Sequence, residues 1–384
     1  MPSRKKKLSL LINIIAPARL ALYSGLADHF ELQISHGGTE GNRDSWQALD
    51  EKLPNARVRR AWGWQISLPR KENGKQFDRR FIHITPGYIA HLLSFRPDVV
   101  ISNEMGLRSL IALAYGAIFR KPVLVWWGGT PHTERKTNFA RRLLRALISR
   151  WARHWISYGQ TSTEYLLSLG IYRGRIVEIQ NAVDETLFFA DAAPELDIQP
   201  RPVVLYAGQL IARKGVELLI DAASAAQREG DVFSLLLVGN GRDKQALEAQ
   251  AKSEGLGNIR FLPSRPPEKM PAIYRSADVL IFPTLEDVWG LVANEAILCG
   301  LPVLCSKYAG CASELFSPES VFDPENPLDF RHKFRRAISG QLPKPDRSRL
   351  KTTPQLLGDL IRAIEGSAQS TQPSLSATGA RIYE

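Results

Sequence analysis

Short apolar runs alternate with helix-patterned stretches along nearly the whole chain, and this alternation restricts the fold more than any other feature. Parallel strands covered on both faces read as near-continuous apolar runs, and each pair needs a crossover, usually a helix. The runs are LSLLINII, FELQIS, PDVVIS, PVLVWW, HWISYG and RIVEIQ in the first half, then PVVLYAG, FSLLLVG, IRFLP, ADVLIFP and LPVLCS in the second. Two Rossmann-like α/β domains are therefore expected. The seam falls after Asn181-Ala182-Val183-Asp184, where residues 190–202 are rich in Ala, Pro and acids and lose periodicity. The expected units are residues 1–189, a linker at 190–202, and residues 203–350. Residues 351–366 have helical apolar spacing at Leu356, Leu357, Leu360, Ile361 and Ile364, and the polar stretch 367–384 fits a disordered tail.

With 384 residues, the chain exceeds one ordinary core, and the 44% hydrophobic and 23% charged residues suit a globular pair of domains. Net charge is +13 over residues 1–190 and −2 over residues 191–384, so the basicity belongs to the first half. The opening RKKKLSLLINIIAPA imitates a signal peptide, but Ser9 and Asn13 interrupt it, and the first buried strand is expected there. No apolar stretch reaches the roughly 20 residues of a spanning helix. Cys299, Cys305 and Cys311 match no zinc spacing, and their odd number fits a reducing compartment. A cytoplasmic location is expected, peripheral to the inner face of the cell membrane. Residues 135–153 hold seven Arg or Lys, no acid, and apolar residues at near-helical spacing; this helix either lies on an anionic bilayer or packs its apolar face on the sheet. No motif for nucleic acid accompanies it.

The loops after the second-half strands carry the candidate chemistry. Asp287 and Glu295 bracket Gly290 between an apparent strand and an apparent helix. A helix start there, near Gly290-Leu291, offers unpaired N–H groups and partial positive charge, a seat for phosphate. Glu295 can aim its carboxylate back toward that end. Alternatively Asp287 caps the helix and Glu295 is a solvated charge. Arg213 and Lys214 stand just before a helix starting near Gly215, where cations oppose the helix dipole and a diphosphate would explain them; the alternative is a solvated basic turn. Gly239 and Gly241 follow another strand and permit close approach of backbone to a ligand. In the first half, His132 follows the strand PVLVWW, where it faces a cleft or caps a helix near Thr137; Glu134 and Arg135 are further cleft candidates. Residues 43–80 hold scattered Arg, Trp and Gly residues, including Trp46, Trp62 and Trp64, in no familiar motif.

The stretch Asp287, Trp289-Gly290, Glu295-Ala296 and Gly300-Leu301-Pro302-Val303 resembles the nucleotide-sugar-binding half of family 4 glycosyltransferases of the GT-B type. That pattern has two glutamates, an aromatic–Gly pair after the first, and Ala-x-x-x-Gly-x-Pro-Val after the second. Weaker likeness runs from about residue 96 to 316. The resemblance implies a GT-B fold and a retaining sugar transfer. The donor would sit in the C-terminal domain and a glycan or lipid-linked glycan acceptor in the N-terminal one. Asp287 would touch sugar hydroxyls, Glu295 the ribose, and Trp289 would shape the wall. Arg213, Lys214 and the helix start at Gly290-Leu291 would hold the diphosphate beside Gly208 and Gln209. Segments like 43–80 usually form the acceptor side of such enzymes, and the last helix crosses back to the N-terminal domain. No Asp-x-Asp occurs, so neither metal nor cofactor is expected. Two positions depart from the pattern: Asp287 replaces its first glutamate and Gln209 its arginine. They motivate a rival reading, a sugar-nucleotide-binding or assembly protein without turnover. An NAD-dependent oxidoreductase is disfavoured, since Ala16-Pro17-Ala18 stands where a Gly-x-Gly-x-x-Gly would follow the first strand.

Overall fold

The computed structural model describes residues 4–38, 49–72, 74–189 and 192–369; Trp46 and the polar tail from residue 370 lie outside them. The strands of the first half are β1 (Lys7–Ile12), β2 (Glu31–His36), β3 (Arg57–Arg60), β4 (Trp64–Glu72), β5 (Lys75–Ile84), β6 (Val99–Asn103), β7 (Val123–Trp127), β8 (His154–Ser157) and β9 (Ile176–Glu178). The second half supplies β10 (Val203–Ala207), β11 (Ser234–Val238), β12 (Ile259–Leu262), β13 (Val279–Phe282), β14 (Val303–Ser306) and β15 (Val321–Phe322). Helices α1 (Leu20–His29), α2 (Gly87–Phe95), α3 (Leu107–Phe119), α4 (Phe139–Trp151) and α5 (Gln160–Ser168) belong to the first domain, and short α6 (Thr186–Phe189) precedes the seam. The second has α7 (Val216–Arg228), α8 (Lys244–Ser253), α9 (Met270–Arg275), α10 (Leu291–Leu298), α11 (Ala312–Leu315) and α12 (Pro327–Ile338), and α13 (Thr353–Gln369) follows.

Two parallel sheets result, ordered β3-β2-β1-β6-β7-β8-β9 and β12-β11-β10-β13-β14-β15. Their central strands are buried on both faces with a period of two. Leu8 and Leu10 enter one core layer with α1, while Leu11 enters the opposite layer with Tyr88 and Val125. Both sheets reverse strand order once, between β1 and β6 and between β10 and β13. Open α/β sheets bind ligands beyond the carboxyl ends of the strands at such a reversal, because the two flanking loops diverge and leave a crevice.

Three pieces depart from the sequence reading. Within and just beyond 57–80, three strands absent from the expected set appear: β3 extends the first sheet, and β4 pairs antiparallel with β5 in a separate hairpin. β15 was also absent from the expected strands. The last helix runs to Gln369, past the expected end at 366, so residues 367–369 are helical rather than part of a disordered tail. It packs on the first domain: Leu356, Leu360 and Ile364 share one core with Leu22 and Leu26 of α1.

Candidate functional site

The loops after β10 and β13 meet at the strand-order reversal of the second sheet. Arg213 and Lys214 lie on a single 3₁₀ turn, Ala212–Lys214, that ends at Gly215 with φ 68°. A Cβ at Gly215 would fall 2.1 Å from the Pro283 carbonyl oxygen, so only glycine lets the two loops touch. Leu285 N–H donates to the Arg213 carbonyl at 2.9 Å, tying them together. Lys214 Nζ consequently reaches Asp287 Oδ2 at 2.5 Å, with both side chains largely buried. Burial lowers the lysine's pKa, partly offset by Asp287. Burial would raise that of Asp287, but Lys214 and Arg213 outweigh it and hold the carboxyl below its usual range. Two cations thus face one carboxylate, and Lys214 is not a solvated turn residue.

Beyond Asp287 the chain turns at Gly290, φ 107°, where a Cβ would strike the Phe282 ring at 2.3 Å. Helix α10 starts at Leu291 with no side chain capping it. Asp287 therefore does not cap α10, and the helix start remains a potential anion seat. Glu295, one turn in, accepts a hydrogen bond from Tyr274 Oη at 2.6 Å. Burial pushes its pKa up to about 7, with the Tyr274 bond pulling the other way. It is no solvated surface charge.

Other expected site residues take different roles. Trp289 is 1% exposed; its Nε1–H donates to Asn294 Oδ1 at 2.9 Å. Its ring lies against Gly159 of the first domain, so the indole packs the domain junction. Gly208 N–H donates to Val238 O and Leu210 N–H to Asn240 O, bringing the loops after β10 and β11 together. A Cβ at Gly239 would lie 1.8 Å from Gly208 O, and one at Gly241 would lie 2.0 Å from Leu210 O. Close packing between loops already requires both glycines. Gln209 is held in this crossing, its carbonyl accepting from Tyr206 Oη at 2.7 Å.

Across the cleft, the hairpin and the loop after β7 reach these same loops. Arg213 Nε contacts Asp78 Oδ2 of β5 at 2.6 Å, and its Nη1 donates to Glu286 O at 2.7 Å. Arg70 of β4 grips Glu286 with two bonds of 2.6 and 2.7 Å, and Arg135 adds a third at 3.0 Å. Arg242 donates to Gln76 O at 2.7 Å. His132 Nε2 lies 2.9 Å from Leu285 O, and the ring stacks on Tyr308 at 4.0 Å. A carbonyl can only accept, so Nε2 carries the proton; burial lowers the ring's pKa, favouring the neutral form. The cap of α4 is Asn138, whose side chain accepts from Arg141 N–H, which removes that role from His132. Glu134 is turned to Arg145 rather than the cleft. At the reversal of the first sheet, Glu104 takes φ 67° and accepts from Asn13 Nδ2 at 3.1 Å. Sequence reasoning singled out neither Glu104, Glu286, Arg70 nor Asp78. Only the hairpin had a readable signal: Trp64-x-Ile66-x-Leu68, Asn73-Gly74 and Ile82-x-Ile84 alternate about a turn dipeptide.

A family model described as glycosyl transferases group 1 matches residues 190–353. D-inositol 3-phosphate glycosyltransferase of Segniliparus rotundus is 33% identical over 127 residues, covering 32% of this chain and 28% of that protein. The same-named protein of Nocardia farcinica is 31% identical over 157 residues, covering 38% and 35% respectively. The chain thus spans about a third of the length of these curated relatives. Among solved structures, Anabaena HepE in complex with UDP and glucose matches with TM-score 0.66 and 18% identity, covering 94% of this chain and 95% of that one. Sucrose-phosphate synthase of Thermosynechococcus elongatus matches with TM-score 0.64 and 18% identity over 95% and 97%. At these identities the likeness is one of fold, and that fold is GT-B.

Proposed function

We propose, for a chain whose residues 190–353 match the glycosyl transferases group 1 family model and whose fold is GT-B, that it moves a sugar from a nucleoside diphosphate sugar to a glycan or lipid-linked glycan acceptor. The observation that carries this reading is the pairing of Lys214 with Asp287, with the charge of Arg213 close by, beside the uncapped start of α10 at a strand-order reversal. In this account the donor's diphosphate lies against those cations and the first turn of α10, with its ribose on Glu295. As the bond from the anomeric carbon to the phosphate oxygen breaks, charge grows on the diphosphate, and oriented cations stabilise it most in the transition state. The acceptor hydroxyl attacks from the departing side and gives its proton to a diphosphate oxygen, so configuration is retained. Gln209 and Asp287 depart from the family pattern, but two cations still line the loop, which supports turnover over mere binding. The reading is tested by incubating the protein with a panel of nucleotide sugars, with and without EDTA. Release of nucleoside diphosphate that survives the chelator supports it; no release from any donor, even slow hydrolysis, would leave the binding-protein rival.

Asp78 occupies Arg213, so an arriving diphosphate has to take that carboxylate's place. Asp78→Asn should raise nucleoside diphosphate affinity severalfold, on the order of 1 kcal/mol for a partly buried pair. Calorimetric titration of the variant checks this, and unchanged or weaker binding counts against the displacement.

Glu295 gives a pH signature. Its pKa in the fold, about 7, exceeds the ordinary value of 4.5, so the folded state holds the proton more tightly. That stabilisation is complete below the unfolded value and is lost as pH rises through the folded one. Glu295→Gln cannot ionise. Its Tm relative to the parent should improve from about pH 5 to about pH 8. A Tm difference flat with pH contradicts the assignment.

We also propose that the protein adsorbs to the inner face of the membrane through α4. Phe139, Leu143 and Trp151 are 80%, 60% and 51% exposed, while Arg145 and Ile148 turn inward. Most of the apolar stripe is therefore free for a bilayer, flanked by Arg142, Arg150 and Arg153. Adsorption to anionic vesicles should weaken as salt shortens the Debye length below about 10 Å. No adsorption at low ionic strength would end this reading.

A further inference from the structure

The hairpin has two dissimilar ends on one face. Directly paired residues of an antiparallel ribbon point the same way, and the register pairs Trp64 with Ile84, Ile66 with Ile82, Leu68 with Arg80 and Arg70 with Asp78. At the tip, Arg70 and Asp78 grip Glu286 and Arg213 of the second domain. Toward the base, Trp64, Ile66, Leu68, Ile82 and Ile84 are 57%, 45%, 45%, 39% and 38% exposed. Scattered exposed apolar residues are ordinary, but five on one face of one ribbon are a contiguous patch. Trp62, 64% exposed, extends it, its ring 4.6 Å from that of Trp64. From Trp64 to Arg70 the strand runs about 20 Å, so the patch leads straight to the cations at the donor loop.

Between the apolar base and the polar tip lies Arg80. Among the described residues it makes no hydrogen bond and no ion pair, although its electrostatic neighbours include Arg145, Arg70 and Glu134. Glu134 is already engaged by Arg145. A half-buried guanidinium beside two other cations, with its nearest anion Glu134 paired to Arg145, has donors to spare, and its planar fork suits phosphate. An apolar track, then an unpaired arginine, then the diphosphate cations is the order of parts in an amphiphile with a hydrocarbon chain, a phosphate and a sugar-accepting head.

We propose that the exposed face of the β4–β5 hairpin that also carries Arg70 and Asp78 is the acceptor track, taking a single-chain hydrocarbon phosphate with its chain along Trp64, Ile66, Leu68, Ile82 and Ile84 and its phosphate on Arg80. This rests on the sugar-transfer reading and makes it specific: the acceptor is a hydrocarbon-linked phosphate rather than a free glycan.

The test is calorimetric titration of the full chain with dodecyl phosphate below its micelle concentration, with ethyl phosphate, and with dodecyl maltoside, whose head is neutral. Dodecyl phosphate should bind at least about tenfold more tightly than ethyl phosphate. Ile66→Asn with Ile82→Asn should weaken it by a similar factor, whereas Ile66→Leu with Ile82→Leu retains it. Arg80→Ala should weaken dodecyl phosphate and spare dodecyl maltoside. Equal binding of the two phosphates, or Asn variants that bind like the parent, overturns the proposal. So does a parental dimer that the Asn pair dissociates, since a second copy then covers the face, or a loss of vesicle adsorption alone, since a bilayer then does. UDP titrated in parallel separates the two readings. Normal UDP affinity with failed dodecyl phosphate binding sinks only the track, while no nucleoside diphosphate binding at all sinks the transfer reading and leaves the hairpin result to stand by itself.

Discussion

Lys214→Ala should lower turnover at saturating donor about 10²- to 10³-fold, the scale for losing one oriented electrostatic donor to a developing charge. The ammonium sits on a turn fixed by Gly215 and by the Leu285–Arg213 hydrogen bond, so it is aimed before the donor arrives. The substitution also affects folding. Sequence alone suggests a nearly free change for a loop lysine, but Lys214 is paired with Asp287 at 2.5 Å and is largely buried. Removing it leaves Asp287 facing Arg213 alone, at a cost of about 1–3 kcal/mol, below that of a wholly abandoned buried charge because one cation remains. Turnover corrected for the folded fraction isolates the chemical effect. Near-normal turnover of the folded variant would remove Lys214 from the diphosphate site, and Asp287 would then be its structural partner only.

Gly239→Ala should be the most damaging single methyl group in the second domain. The added Cβ would stand 1.8 Å from Gly208 O, which is backbone and cannot swing aside, and Gly239 has φ 156°. Relief requires parting the loops after β10 and β11, at about 3 kcal/mol or more. Gly257→Ala is the matched control, since nothing lies within 4 Å of its Cβ position. Chemical denaturation of the two variants reads the contrast. A Gly239→Ala protein as stable as the Gly257→Ala one would mean that the loops separate freely, and the site geometry built on their crossing would be wrong.

The parallel sheets were legible because Val, Ile and Leu runs such as VVLYA and SLLLV cannot be half-exposed strands, and the loops carrying Arg213, Lys214 and Asp287 follow them directly. Glycine positions were legible as turns, though not their cause: Gly215 and Gly239 admit neighbouring backbone, which no single segment reveals. The burial of Trp289 was not legible, because it depends on Gly159 from the other domain. The cross-cleft ion pairs were beyond reach. Arg70 and Glu286 are 216 positions apart and Asp78 and Arg213 are 135 apart, and a charge in a sequence does not name its partner. The hairpin was missed for another reason: its alternation is diluted by Arg70, which serves a distant contact, and by Arg79 and Arg80.

The central claim is that the loops after β10 and β13 bind a nucleoside diphosphate through Arg213 and Lys214. Its most direct test is calorimetric titration of UDP, ADP and GDP into the parent protein and into Lys214→Ala, both in EDTA. The account predicts saturable, one-site binding of at least one of them by the parent, weakened at least about tenfold in the variant. Binding of none by the parent, or equal binding by both proteins, would contradict it.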